Sequence, residues 1–281
     1  VYRKYISRFI LVFVAFLTVI GISYIMIKNR AYASEVNSET ILPLPPKIED
    51  KVSIGFVGDI APGLNAVDNT LSEVIPYTEK PDIMIGNFEG VVAKNIYSKC
   101  KSNSKNCFSF NGDDKFLKLL SLASFDVLNV ANNHFNDYGQ KGQEETVENI
   151  QKVGIIASGM KDKITYINKN NIKIGIVGFA TNPWTTNLNN EKAVKELISV
   201  ANQNADIVIV VFHGGGEGEK YEHVPVGMEK YIGESRGDLR NFAHISIDAG
   251  ADIVLGSGPH VLRGIEKYNN KLIAYSLGNF A

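Results

Sequence analysis

The hydrophobic pattern from Val52 onward alternates between two kinds of segment. Short apolar runs end in polar or glycine-rich stretches, and segments with apolar residues at helical spacing lie between them. Strands buried on both faces that alternate with helices are typical of a layered α/β domain, which this pattern therefore predicts. The predicted strands are Val52–Val57, Ile83–Ile85, Phe125–Val130, Ile155–Ile156, Ile164–Ile167, Ile172–Gly178, Asp206–Phe212, Asp252–Leu255, Arg263–Tyr268 and Lys271–Leu277. The predicted helices are Lys115–Ala123, Gln143–Val153, Glu191–Asn204 and Leu239–Ala249.

The amino terminus has a different pattern, a continuous apolar run without charge from Phe9 to Ile27. At about 1.5 Å per helical residue, this run is long enough to cross the hydrocarbon core of a bilayer. Basic residues precede it at Arg3, Lys4 and Arg8, which favours an amino end in the cytoplasm. The remainder of the chain is then expected on the outer side of the membrane.

This pattern divides the chain into three parts. We predict a signal anchor or transmembrane helix over 1–30, an extracytoplasmic linker with a Pro-rich end over 31–50, and one domain over 51–281. The prediction describes a single-pass protein of the cell membrane with an extracytoplasmic domain. The alternative is a cleaved signal peptide, with Ala31–Ala33 as the cleavage site and a released domain.

Composition and cysteine count narrow the functional classes. The net charge of −1 gives no reason to expect nucleic acid as a partner. The only two cysteines, Cys100 and Cys107, lie in the polar loop Tyr97–Asn111. An oxidising exterior permits a disulfide between them, and two unpaired surface thiols are the alternative. A structural zinc site at these cysteines would need further ligands that the loop does not have.

Carboxylate, amide and imidazole side chains follow five of the predicted strands, at the position where an open α/β sheet has its ligand crevice. Together these groups suit Mn, Zn or Fe and exclude a thiolate site. In the central loop, the alternative is that Asn133 and Asp137 only cap the next helix. The strand-end residues are Asp59, Asn87, Glu89, Asn132, Asn133, His134, Asp137, His213, Glu217 and His260.

Several of these residues lie in segments that resemble the CapA/PgsA family of capsule (poly-γ-glutamate) synthesis proteins, within the calcineurin-like metallophosphatase superfamily. The resemblance covers the chain from Val52 to its last residue, in order. The stretch Asn133–Gly139 is also similar to the Gly-Asn-His-Glu signature of metallophosphatases. The matching segments are Gly58-Asp59, Gly86–Gly90, Ala131–Gly139, His213–Glu217, Asp248–Asp252, Gly258–Val261 and Tyr275–Phe280.

The resemblance implies a metallo-dependent phosphatase-like fold, a layered sandwich of mixed β-sheets flanked by helices, and a role for each strand-end residue. His134 is implied as the proton donor to a leaving oxygen, and Asp137 as a second catalytic residue. The implied ligands of a divalent metal (Mn, Zn or Fe) are Asp59, Glu89, Asn133, His213 and His260. The implied substrate-binding residues are Asn87, Asn132 and Glu217.

Three positions depart from the family pattern. Ala61 and Gly258 stand where the superfamily has histidines that bind metal, and Gly214 stands where capsule relatives often have tryptophan. Two cations are usual in the superfamily, whereas the missing imidazoles leave one-metal and metal-free pockets open for this chain.

The function expected from the resemblance is synthesis or export of a poly-γ-glutamate-type capsule, with a hydrolase-like metal site. The expected partners are the anionic polymer or its synthase complex in the membrane. Two alternatives stay open: a metal-dependent phosphoesterase or amidase unrelated to capsule, and a binding module without catalysis. Arg236, Arg240 and Lys230 could contact an acidic polymer, but a solvated helix face is the favoured interpretation of these three residues.

Overall fold

Two β-sheets form the centre of the domain in the computed structural model, which describes residues 51–62, 71–100 and 107–281. The strands of the first sheet are β1 (Ile54–Ile60), β2 (Ile83–Phe88), β3 (Val127–Asn129) and β4 (Ile156–Ser158). This sheet is wholly parallel, in the order β1-β2-β3-β4. The strands of the second sheet are β5 (Ile164–Lys169), β6 (Ile172–Ala180), β7 (Ile207–His213), β10 (Ile253–Ser257), β11 (Ile265–Tyr268) and β12 (Lys271–Ala274). Their order is β11-β12-β10-β7-β6-β5, with antiparallel pairs only at the two edges.

Helices cover the outer faces of both sheets, and a small hairpin of β8 (Glu229–Tyr231) and β9 (Glu234–Gly237) stands apart from them. Three of the helices begin at an Asx side chain, Asp113, Asn190 or Asp238, that accepts a first-turn backbone N–H. The helices are α1 (Ile75–Thr78), α2 (Asp114–Leu122), α3 (Gly139–Lys152), α4 (Glu191–Asn204) and α5 (Leu239–Asp248), and a single 3₁₀ turn spans Glu219–Tyr221.

Three buried apolar clusters hold these layers together. One lies between the sheets and joins Ile85 of β2 to Ile176 of β6 and Val211 of β7. The second packs α2 and α3 on the first sheet, and the third packs α4 and α5 on the second. The core strands can be apolar on both faces because each sheet is covered on both sides.

The α/β architecture with helices flanking the sheets confirms the prediction, and most elements lie within a few residues of their predicted bounds. The last predicted strand was too long, because β12 ends at Ala274 and the chain then turns toward β1. The hairpin β8–β9 and the short α1 were not predicted. The capping alternative for Asn133 and Asp137 is wrong, since α3 begins after Tyr138 without a capping side chain.

The predicted anchor over 1–30 and linker over 31–50 lie outside the described residues. Across the described parts of the chain, no helix combines the length and apolar character needed to traverse a membrane.

Candidate metal centre and catalytic cavity

The carboxyl ends of the parallel strands meet at one edge of the two sheets, and the carboxyl-terminal segment of the chain joins them there. The backbone N–H of Asp59 donates to the carbonyl of Gly278 at 2.9 Å, and Phe280 N–H donates back to the Asp59 carbonyl at 2.8 Å. A side chain at Gly58 would place its Cβ 1.9 Å from the Gly278 oxygen, so this close approach requires glycine. The Asp59 side chain is thereby fixed beside strands of both sheets.

Asp59, Glu89 and His213 form a buried cluster at this edge. One ligand atom from each residue lies within 4.8 Å of the other two. Glu89 Oε1 and His213 Nε2 lie 3.5 Å apart, and both are buried without a hydrogen-bond partner among the described residues. Two ligand atoms held about 2.1 Å from one tetrahedral cation are about 3.4 Å apart. The unpaired atoms and their separation therefore fit a single bound cation.

The ionisation states of the cluster also fit a cation. Burial opposes ionisation of Asp59, but hydrogen bonds with His213 and His260 outweigh it and hold the Asp59 pKa well below its usual value. Burial, followed by the charge of Asp59, raises the pKa of Glu89 well above its usual value. Burial lowers the pKa of His213 to about 4, although Asp59 acts in the opposite direction. His213 is thus a neutral imidazole near pH 7, the form that binds metals.

A layer of buried amides holds Asp59 in position. Asn87 pairs with Asp59 in the register of β1 and β2, and its Nδ2 donates to Asp59 Oδ1 at 2.7 Å. Asn129 Nδ2 donates to Asn87 Oδ1 at 2.9 Å, and Asn132 Nδ2 donates to the Phe88 carbonyl at 2.8 Å. Asn87 and Asn132 were expected to bind substrate. Both are fully buried and bonded within the protein, and neither lines the cavity.

His134 and Asp137 form a hydrogen-bonded pair at 2.7 Å between Nδ1 and Oδ2. Asp137 is fully buried and is further bonded by Phe110 N–H at 2.8 Å and by Lys99 Nζ, which lies 2.5 Å from Oδ1. The Phe110 ring packs on the imidazole with a centroid distance of 4.2 Å. His134 Nε2 lies 3.8 Å from Glu89 Oε1, so the free nitrogen of the ring faces the metal-binding cluster.

A cavity of about 680 Å³ opens onto this cluster. Glu89, Asn133, His134, Glu217 and His260 line it, so five of the expected site residues share one space. The Asn133 Oδ1 atom is buried without a hydrogen-bond partner in the described structure, as expected of an amide oxygen available to a cation.

His260 approaches the cluster from the other sheet. Its Nδ1 lies 3.2 Å from Asp59 Oδ2, 3.9 Å from Glu89 Oε2 and 2.8 Å from Asn279 Oδ1. Burial lowers the pKa of His260, but its contacts with Asp59 and Glu89 reverse this and raise it to about 9. His260 Nδ1 therefore lies close to both acidic side chains of the cluster.

The structure shows how Gly258 and Ala61, which stand in place of two expected histidines, are placed at the site. Gly258, where an imidazole was expected, donates its backbone N–H to Asp59 Oδ2 at 3.0 Å. Its φ of +111° is a conformation that only glycine adopts readily, and an added Cβ would lie 2.8 Å from the Gly214 nitrogen. Ala61 lines the cavity and offers no ligand atom. The residues present fit one cation better than two.

The sequence did not indicate Lys99 and Phe110 as residues of the cavity, and Arg236, which also lines it, was assigned to a solvated helix face. The Cys100–Cys107 disulfide is formed in the structure. Because Lys99 directly precedes Cys100, the two cysteines were a sequence signal that could have pointed to this segment. The helix-face interpretation of Arg236 is wrong, because this residue lies in β9 and is buried. Of the three basic residues Arg236, Arg240 and Lys230, only Arg240 lies on an exposed helix surface, in α5.

Known proteins that are similar to this chain are bacterial capsule synthesis proteins. The family described as "Bacterial capsule synthesis protein PGA_cap" matches residues 53–281. Capsule biosynthesis protein CapA of Bacillus anthracis is 27% identical over 274 residues, covering 86% of this chain and 62% of that protein. PGA biosynthesis protein CapA of Bacillus subtilis (strain 168) is 33% identical over 258 residues, covering 83% and 63%. The chain therefore spans less than two thirds of the length of these relatives.

Among solved structures, a putative 5'-nucleotidase from Staphylococcus aureus, crystallised with alpha-ketoglutarate, has a TM-score of 0.49 and 14% identity. The match covers 80% of this chain and 49% of that one. Similarity at this level does not identify the activity or the detailed fold.

Proposed function

The chain belongs to the bacterial capsule synthesis protein family PGA_cap, and from this premise we propose that its cavity cleaves or transfers an anionic γ-glutamyl polymer. The observation that carries the proposal is the buried cluster of Asp59, Glu89 and His213, in which Glu89 Oε1 and His213 Nε2 are unpaired and Glu89 lines a cavity together with His134. Membership of the family supports a role in capsule synthesis, and the residues of the cluster support the proposed reaction.

One divalent cation, Mn, Zn or Fe, fits these ligands, with Asn133 as a further oxygen donor. A cation held there supplies Lewis acidity to a carbonyl or phosphoryl oxygen of the substrate. Ala61 and Gly258 stand where the superfamily has two histidines that bind metal. Without these imidazoles, the ligands present suffice for one cation. We therefore assign a one-metal centre to this chain.

His134 performs the proton transfer in this proposal. Its Nδ1 is held by Asp137, so Nε2 is the nitrogen available to the cavity. When water adds to the carbonyl carbon of the scissile amide, the bond to nitrogen breaks and its electron pair goes to the leaving nitrogen. The leaving nitrogen takes the proton from Nε2, and a proton of the attacking water replaces it. Asp137 holds the ring orientation throughout.

We further propose that this chemistry takes place outside the cytoplasm, with the domain attached to the membrane by the segment 1–30 next to a capsule synthase complex. The apolar run Phe9–Ile27 supports attachment. The disulfide supports an oxidising location, because such bonds are rare in the cytosol.

A second candidate is hydrolysis of phosphoesters unrelated to capsule, favoured by the His134–Asp137 pair beside a mixed oxygen and nitrogen ligand set. Both activities need a proton donor to the leaving group, so the site alone permits either. The substrates used in the test separate them.

The test compares His134→Ala with His223→Ala, a control with the same change at an exposed position. The purified chain is assayed with a γ-glutamyl oligomer and with a generic phosphoester, and its metal content is measured alongside. We expect His134→Ala to abolish turnover with metal content unchanged, and His223→Ala to behave as the wild type.

Each result has a distinct meaning. Cleavage of the phosphoester alone supports the second candidate, and no turnover of either substrate by the wild type refutes catalysis. Deleting the gene in its host tests the capsule role separately. Loss of capsule staining, restored by the wild-type gene, is the expected result, and unchanged capsule contradicts that role.

A further inference from the structure

Arg236 is a buried arginine, 3% exposed, that is fixed by the glycine-rich loop following His213. Its Nε–H donates to the Gly215 carbonyl at 3.0 Å, and Gly215 N–H donates back to the Arg236 carbonyl at 2.7 Å. Gly215 has φ +95°, a conformation that a side chain would strain. The guanidinium therefore keeps a defined position at the wall of the cavity and loses little freedom when it binds a ligand.

The guanidinium has hydrogen-bond donors to spare. It carries five N–H groups, of which one is used by Gly215. Nη2 lies 2.9 Å from Glu217 Oε1, and Nη1 lies 3.7 Å from Glu234 Oε2, beyond hydrogen-bond distance. Glu234 is largely exposed, so it is solvated and competes weakly for the guanidinium. Within the described residues, Arg236 thus retains N–H groups that can bind an acceptor in the cavity.

A cation bound at the Asp59–Glu89–His213 cluster would add two positive charges to the cavity that Glu89 and Arg236 both line. The cation and the guanidinium together would favour an anionic group in this cavity. Arg236 is a buried arginine in the cavity wall, and it has donors available.

We propose that Arg236 recognises the anionic group of the ligand, a carboxylate or phosphate oxygen, beside the Asp59–Glu89–His213 cluster. This deepens the proposed function, because it assigns the charged group that the cavity selects and the residue that selects it. Glu217 competes with the ligand for the same guanidinium, so it weakens binding of anions and is not itself an anion-binding residue.

The experiment measures binding by titration calorimetry on the full chain, with inorganic phosphate and with γ-glutamylglutamate as separate probes. Arg236→Gln removes the charge and Arg236→Lys keeps it without the planar fork. Arg240→Gln is the matched control, since Arg240 is exposed on α5. Each titration is run with and without Mn²⁺, so that a failure of metal binding is seen separately from a failure of anion binding.

We expect Arg236→Gln to weaken anion binding by about 10- to 100-fold, the value of a charge-assisted hydrogen bond, with Arg236→Lys intermediate and Arg240→Gln unchanged. A loss confined to phosphate identifies a phosphate-bearing ligand, and a loss confined to the dipeptide identifies a carboxylate. Equal affinities for Arg236→Gln and Arg240→Gln, or no binding of either probe by the wild type, would overturn the proposal.

Glu217→Gln provides a second test that does not depend on the folding of an Arg236 variant. It removes the negative charge that lies 2.9 Å from Nη2 and leaves the hydrogen bonds between Arg236 and Gly215 in place. We expect tighter binding of the probe that the wild type binds. Unchanged or weaker binding by Glu217→Gln would contradict the assignment.

Discussion

Replacing Cys100 and Cys107 by serine is expected to destabilise the domain and loosen one wall of the cavity. The bond joins positions seven apart, so it closes a loop of eight residues. In the chain-entropy treatment, cross-linking a loop of this length constrains the unfolded chain by about 2.5 kcal/mol at 25 °C. We expect the double variant to lose a free energy of unfolding of about this size.

The groups that hold Asp137 lie on either side of this loop. Lys99 precedes the disulfide, and its backbone N–H donates to the Asp137 carbonyl at 2.7 Å while its Nζ lies 2.5 Å from Oδ1. Phe110 follows the disulfide and donates to Oδ2 at 2.8 Å. Loosening the loop should therefore reduce turnover through the orientation of His134, in addition to lowering stability.

The assay is urea unfolding of the wild type and the double variant, each with and without reductant. With a denaturant slope of about 2 kcal/mol per molar urea, the midpoint should fall by about 1 M in the variant and in the reduced wild type. The variant serves as its own control, because reductant should not change its midpoint. Coincident midpoints for the oxidised wild type and the variant would refute the reasoning.

Three further predictions concern other parts of the domain. Glu229→Gln leaves the buried guanidinium of Arg263 without its bidentate partner and should cost about 3–5 kcal/mol of unfolding free energy, measured by urea unfolding; a change below about 1 kcal/mol would contradict this. Burial, followed by the charge of Asp59, raises the pKa of Glu89, so metal binding should release a proton from this side chain. Titration of Mn²⁺ into weakly buffered protein should therefore acidify the solution, and the Glu89→Gln variant should release fewer protons. The hydrogen bond from Tyr275 lowers the pKa of Glu266 in the folded protein. The stability that Glu266 contributes is therefore present above pH 4.5 and is lost as the pH falls through the lower folded pKa. The melting temperatures of the wild type and Glu266→Gln should differ near neutral pH and converge in acid.

The sequence predicted the parts of the fold whose periodicity is undisturbed. α4 (Glu191–Asn204) was predicted with its observed bounds because its apolar residues are regularly spaced and Asn190 caps it. The hairpin β8–β9 was missed because its strands are short, Gly227 and Gly233 flank the first of them, and its apolar residues do not alternate cleanly. The strands β8 and β9 are defined by their pairing with each other, and no local pattern marks them.

The candidate site was partly visible because its residues follow strands, and strand ends can be read from a sequence. Asp59, Glu89 and His213 were selected in this way, and the structure brings them together. Lys99 was not selected and Arg236 was assigned to a helix face, because each reaches the cavity from a segment whose path depends on a disulfide or a hairpin. Their roles depend on which partners the fold brings to them.

Asn87 was predicted at the site from its position at a strand end, and its hydrogen bonds could not be read from the sequence. Its register partner Asp59 and the amide of Asn129 use its polar atoms within the protein. An amide at a strand end can support a metal ligand as readily as it can bind a substrate, and only the hydrogen bonds distinguish the two roles.

The most direct test of the one-metal centre is the metal content of the purified chain after equilibration with Mn²⁺, Zn²⁺ or Fe²⁺ and removal of the excess. The wild type should retain one equivalent, and His213→Ala should retain much less, while His223→Ala should match the wild type. Absence of stoichiometric metal in the wild type would contradict the metal centre, and two equivalents would contradict the assignment of a single cation to the cluster of Asp59, Glu89 and His213.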